Sequence, residues 1–222
     1  MDAIRGFTEL VSAAGEPPLD VACSLIAACA DRRVDPSRVI EELDGLAAGC
    51  PEPTVESLQH YLFRDLGFHG NRDDYYDPSN SLLDKVLERK VGIPITLSVV
   101  LMETGRRRGV PLVGIGAPGH FLVRHADDPD VFIDAFNGGL IFDRAAAQRL
   151  VEQLQPGLSA AQALEPVSNR AILLRMLANL KAIYLHRSDA VALAWVLELR
   201  LSLPGASESE VQELAKVRAH FN

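Results

Sequence analysis

Apolar and polar positions alternate with two different periods along this chain, and the switch between them locates its centre. Residues 19–30, 35–49 and 54–63 repeat their apolar positions at helical spacing. Asp20 and Asp35-Pro36 stand where such helices begin, Gly49 where one ends, and Thr54 and Ser57 offer caps. Residues 1–70 are therefore expected to be helical. Residues 81–90 predict another helix, entered through the loop 67–80. From Ile95 to Met102 nearly every position is apolar. A helix apolar on all faces belongs in an interior, and eight such residues are too few to cross a bilayer. Pro94 suits its first turn, Arg106, Arg107 and Arg108 crowd its last turn and are expected to form a solvated helix end, and Gly105 or Gly109 can end it.

The period then becomes that of strands. Residues 120–125 (HFLVRH) and 131–134 (VFID) are rich in aromatic and β-branched residues and are joined by ADDPD. A turn centred on Asp127 sets 124 opposite 130, 122 opposite 132 and His120 opposite Asp134, close enough for side-chain contact. Asn137-Gly138-Gly139 is a hairpin signal leading into residues 140–142, so a short antiparallel meander is expected. Residues 145–164 predict a helix broken at Pro156-Gly157. Residues 169–186 and 189–203 form two amphipathic patterns around a tight Arg-Ser-Asp turn, and 207–220 predicts a last helix with an acidic first turn.

A carboxylate beside an imidazole orients the ring and stabilises its charged form, as in a general base set next to a nucleophile. A nucleophile at a helix start gains further from the dipole. Helix start, histidine and aspartate follow here in the order of a papain-like or transglutaminase-like site. The stretches YYDPSNSLLDKVLERKVGIPITLS (75–98), GAPGHFLVR (116–124) and IDAFNGG (133–139) resemble the SirB-type transglutaminase-like family. The resemblance is dense over about residues 58–155 and looser from 168 to 204. It implies a mostly helical α+β fold: a transglutaminase/papain-like core with a small antiparallel sheet on a buried helix, followed by a tetratricopeptide-like helical hairpin. It divides the chain into residues 1–74, 75–164 and 165–222, packed as one unit. It assigns His120 and Asp134 to the family's histidine and aspartate, and puts the position of the family's cysteine near Thr96.

A threonine hydroxyl is a poor nucleophile without a strong base and cannot become a thiolate. Ser98 lies about 200° from Thr96 around a helix, so only one of the two can face His120. Both hydroxyls can instead bond backbone carbonyls, leaving His120 and Asp134 as a structural pair. Asn80, before the core helix, can donate to a substrate or tie its loop to the helix. Gly119 lets the chain bend beside His120, which makes Asn80, Ser98 and Gly119 candidates for contact with a substrate or partner.

Composition narrows the choice. With 222 residues, 48% hydrophobic, the chain can bury a sizeable core. A net charge of −8 disfavours nonspecific nucleic-acid binding. The opening MDAIRGF has no charged-then-apolar leader, no stretch is apolar enough for a membrane span, and Cys23, Cys29 and Cys50 form no disulfide framework or C-x-x-C pair. A cytoplasmic protein is expected, with Cys23 and Cys29 as core residues and Cys50 at a helix end. Asp73, Asp74, Asp77 and Asn80 lack the order of a calcium loop and are expected to form caps and Asx turns. GIGAPG (114–119) matches G-x-G-x-x-G in letters only, because it leads into a strand where a dinucleotide fold needs a helix. The six histidines show no zinc spacing. No metal or cofactor is expected, and the oligomeric state is open. Three readings remain: a non-catalytic transglutaminase-like module that binds another protein, a hydrolase or acyltransferase using Thr96 or Ser98 with His120 and Asp134, and a DNA-associated regulator, against which the acidic balance counts.

Overall fold

A computed structural model describes residues 2–205 and 208–219 of the chain, apart from the Glu208 side chain. The fold is mostly helical, with two small sheets. Five helices come first: α1 (Ala3–Ser12), α2 (Leu19–Ala30), α3 (Pro36–Gly49), α4 (Val55–His60) and α5 (Leu83–Arg89). Asp2, Asp35 and Thr54 cap α1, α3 and α4 through side-chain oxygens that accept N–H groups in the first turn. The helix expected over 54–63 runs as α-helix only to His60, then widens into a π turn over Tyr61–Asp65. Asp20 does not cap α2. It lies inside the first turn, where its carboxylate receives Arg106 and Arg107.

The central helix α6 (Pro94–Arg108) begins at its proline and ends at Gly109, whose φ of 76° is readily accessible to glycine. Its positions 94–105 are all buried. The expectation of a plainly solvated arginine end needs correction. Arg107 is only 10% exposed and bridges Asp20, Glu103 and Asp44 at 2.6, 2.8 and 2.6 Å. Arg106 joins Asp20 and Glu103 at 2.8 Å each. These bonds tie the end of α6 to α2 and α3. Burial pushes the Glu103 carboxyl above its ordinary value despite its arginine partners.

The meander is present as β3 (Leu112–Ile115), β4 (Leu122–His125), β5 (Phe132–Asp134) and β6 (Leu140–Phe142), antiparallel in that order. Two further strands, β1 (His69–Gly70) and β2 (Val91–Gly92), form a short parallel pair that the sequence pattern does not reveal. Side chains on the strands alternate between two apolar regions. Val123 and Ile133 join the main core, which draws residues from α1 to α6 and from the helical segment after residue 168. Ile115, Leu122 and Phe132 pack instead with Ala147, Val151 and Leu164, which come from or beside α7 (Arg144–Leu154) and α8 (Ala160–Ala163).

The β4–β5 register differs from the expected one by two residues. Arg124 faces Phe132 and Val123 faces Ile133, where the turn centred on Asp127 had set 124 against 130. The cause is a longer connection. His125 N–H donates to the Val131 carbonyl at 3.0 Å, the Asp128 N–H donates to the His125 ring at 3.1 Å, and Asp128 in turn accepts the Asp130 N–H. An even shift preserves which face each residue occupies; an odd one would have reversed it.

Helices α9 (Asn169–His186) and α10 (Ala190–Leu201) pack on each other through contacts that include Tyr184 against Trp195, and α11 (Glu208–Ala219) follows. The expected last helix at 207–220 begins and ends on residues outside those described. Among the described residues no helix is long and apolar enough to cross a membrane.

Candidate functional site

The site is built where the turn before β4 meets the start of α6. Ala117-Pro118-Gly119-His120 forms a tight turn closed by the His120 N–H on the Ala117 carbonyl at 3.2 Å. Proline followed by a glycine with φ of 64° is the pattern of a type II turn. The turn delivers His120 at a position whose side chain is 13% exposed.

Its ring meets Asp134 diagonally across the hairpin, with Nε2 2.8 Å from Oδ2. Asn137 completes the carboxylate's shell: its backbone N–H donates to Oδ1 at 3.1 Å and its side-chain amide to Oδ2 at 2.7 Å. Burial pushes the Asp134 carboxyl up, but the hydrogen bonds and charge of His120 and the Asn137 donors outweigh it, and the group sits below its ordinary value. Phe136 stands edge-on to the His120 ring, and Gly70 lies so close under Phe136 that a Cβ would collide with that ring. Arg72 lies over the Phe136 ring and bonds Asn137.

Arg175 of α9 holds the turn from behind. Its guanidinium donates to the carbonyls of Ala117 at 3.0 Å and His120 at 2.6 Å, and lies over the Phe121 ring. Burial lowers the pKa of Arg175. An arginine nonetheless remains a cation in a protein.

Facing His120 is a cavity of about 130 Å³ lined by Ile93, Pro94 and Ile95 from the start of α6, with Tyr75, Arg175 and Asn179 on other sides. Thr96 is not among its lining residues. The Thr96 side chain is fully buried and turned to the backbone: Oγ1 donates to the Asn80 carbonyl at 2.7 Å and accepts the Ile93 N–H at 3.1 Å. Ser98 is also fully buried, and its hydroxyl has no hydrogen-bond partner. The only hydrogen bond of the His120 ring among the described residues is the one to Asp134.

Asn80 is committed to its own loop. Its amide donates to the carbonyls of Asp74 and Tyr75, and its side-chain oxygen accepts from Asn71. Asp77 caps the 3-10 turn Pro78–Ser81 and pairs with Arg89 at 2.8 Å. Gly119 lines the cavity as part of the turn. The structure thus brings His120, Asp134 and Gly119 together, and sets Thr96, Ser98 and Asn80 into the surrounding framework.

No cysteine lines the cavity. Cys23 is buried with its thiol 3.6 Å from the Met176 sulfur, and burial raises its pKa well above the ordinary value. Burial pushes Cys29 up to about 12. Cys50 points at the Glu52 carbonyl and Ser57. Among the described residues no group of three or more His, Cys, Asp or Glu is arranged to hold a metal ion.

Sequence reasoning missed Arg175, Asn137 and Tyr75 as parts of this site. Asn137 appeared only as a turn residue, although its place three residues after Asp134 suits an Asx-type bond. Arg175 interrupts an amphipathic helix and carries no local signal.

A hairpin histidine and aspartate thus stand by the first turn of an interior helix, and residues 26–178 match the transglutaminase-like superfamily. The match covers more than half of the chain, which belongs to that superfamily. Its relatives there include a UPF0162 protein of Xylella fastidiosa (strain 9a5c), 45% identical over 139 residues that span 59% of this chain and 48% of that protein. UPF0162 protein PA3419 of Pseudomonas aeruginosa is 32% identical over 190 residues, 81% of this chain and 70% of the relative. F-box only protein 21 of Homo sapiens is 32% identical over 136 residues, 57% of this chain and 21% of the relative. The chain spans about half the length of several of the curated relatives it matches. No solved structure matches.

Proposed function

We propose that this chain is a non-catalytic member of its superfamily, of the SirB type, in which the His120–Asp134 pair serves a protein-interaction or regulatory module. One observation carries the reading: the helix start that faces His120 offers Ile93, Pro94 and Ile95 to the cavity, and the Thr96 hydroxyl, a candidate nucleophile, is spent on Asn80 and Ile93. Acyl transfer through a covalent intermediate needs a nucleophile within hydrogen-bond reach of its base, about 2.6–3.2 Å. A cavity of about 130 Å³ is also well below the roughly 300–1,000 Å³ of ordinary small-molecule sites.

The interaction role draws support from where the matched segment occurs. It fills about half of one relative and about a fifth of another, as a module carried in different chains does. On this reading residues 75–164 form the transglutaminase-like core. Helices α9 and α10 form a tetratricopeptide-like hairpin whose Arg175 reaches that core. The setting proposed is the cytoplasm.

The experiment is a screen of ester hydrolysis, amide hydrolysis and amine transfer on the wild-type chain beside Thr96→Ala. The expected result is no turnover above a heat-denatured control in either. Reproducible turnover that Thr96→Ala abolishes would make the chain an enzyme and overturn the proposal.

A further inference from the structure

The cavity beside His120 is lined by unused hydrogen-bond donors and by no acid. Arg175 commits two of its N–H groups to the Ala117 and His120 carbonyls, and a guanidinium has five. Among the described residues no carboxylate lies within ion-pair distance of it. Asn179, one turn further along α9, lines the same cavity. Its side-chain amide makes no hydrogen bond among the described residues, nor does the Tyr75 hydroxyl. The Nδ1 nitrogen of His120 has no partner either, but with the Nε2–H on Asp134 it is an acceptor in the neutral ring and is not counted among those donors.

A half-buried cation without a counter-charge, flanked by an amide and a phenol with spare donors, is set up to receive an anion. The geometry points to a carboxylate-binding pocket, in which the cavity between Arg175, Asn179, Tyr75 and His120 receives one carboxylate group of a partner polypeptide. The guanidinium fork matches a planar carboxylate. Asn179 and Tyr75 supply neutral donors to its remaining lone pairs. The volume of about 130 Å³ admits a carboxyl group and little more, so the rest of the partner lies outside.

Asp134 is the acid bonded to the cavity's histidine. It stands behind His120, with both oxygens engaged by His120 and Asn137, and does not line the cavity. This inference rests on the reading of the site as a binding module and names the chemistry of what it binds.

The carboxylate has two possible sources, a chain terminus or an acidic side chain, and small probes separate them. The intact chain is titrated with N-acetylalanine, with the α-amide of N-acetylglutamate, and with the neutral N-acetylalanine amide, while the His120 ring resonances are followed by NMR. A saturable shift is expected with one or both carboxylates and none with the amide; the tighter carboxylate identifies the source.

Because Arg175 also holds the turn, the informative variant is Asn179→Asp, which removes no existing hydrogen bond and puts a like charge into the pocket. It is expected to weaken carboxylate binding about tenfold or more with a melting temperature no lower than that of the wild type. The absence of a saturable shift with either carboxylate, an equal shift with the neutral amide, or undiminished affinity in Asn179→Asp would overturn the inference. Any of these leaves the turnover screen, and so the non-catalytic reading, standing on its own result.

Discussion

The Thr96 hydroxyl donates to the Asn80 carbonyl at 2.7 Å and accepts the Ile93 N–H at 3.1 Å, so this residue works as a tie between the loop before α5 and the first turn of α6. A hydroxyl with its proton given to a carbonyl and a lone pair given to an amide has little left to offer a base. The same two bonds explain why a polar residue is tolerated in a fully buried place.

Thr96→Val keeps the shape and leaves the Asn80 carbonyl and the Ile93 N–H with only their long bond to each other, at 3.4 Å. It is expected to cost about 1–3 kcal/mol in urea unfolding. Thr96→Ser retains the hydroxyl and is expected to cost less than the valine variant. Equal stability of wild type and Thr96→Val would refute the tie.

The Asp134 carboxylate receives His120 and Asn137, and removing it as Asp134→Ala is expected to cost about 2–3 kcal/mol. The pH dependence has a definite sign. The folded-state value is lowered relative to the unfolded chain, so the contribution is present above the ordinary carboxylate value of about 3.9 and is lost as pH falls through the folded value. The stability difference between wild type and Asp134→Asn should therefore hold steady at neutral pH and shrink in the acid range. A difference that instead grows on acidification would contradict this assignment.

The hairpin and the buried helix were legible because each rests on a local pattern: an apolar run too short for a membrane, and β-branched residues around a polar turn. The register was not. It depends on the His125 ring accepting the Asp128 N–H, which lengthens the connection by an interaction no propensity encodes. His120 lies beyond the end of β4 and reaches Asp134 diagonally. Arg175 was invisible for a related reason, since its partners are backbone carbonyls 55 and 58 positions away. The arginine run was misread because counting charges does not say whether Asp20, 87 positions before Arg107, will be its neighbour.

That arginine run separates into unequal members. Arg107 is nearly buried and serves three carboxylates, so Arg107→Leu leaves buried acids short of a partner and is expected to cost about 3 kcal/mol. Arg106, with a side chain 59% exposed, is expected to cost about 1 kcal/mol or less as Arg106→Leu. Denaturant midpoints of the two variants give the comparison, and equal losses would argue against Arg107 as the anchor.

Gly119 and Gly139 both have positive φ, 64° and 69°, but their surroundings differ. A Cβ at Gly119 meets nothing, whereas one at Gly139 would collide with the Phe63 ring. Gly119→Ala is expected to cost about 1–2 kcal/mol from backbone strain alone, and Gly139→Ala more, because the ring must also move. Thermal melts of the pair check the order.

The central claim is that no serine, threonine or cysteine nucleophile stands before His120, and covalent capture tests it most directly. The wild-type chain and His120→Ala are incubated with an activated acyl ester and with a fluorophosphonate, then read by intact mass and peptide mapping. The account predicts no adduct on Thr96 or Ser98 in either protein. A stoichiometric adduct on one of those hydroxyls that disappears in His120→Ala would contradict it.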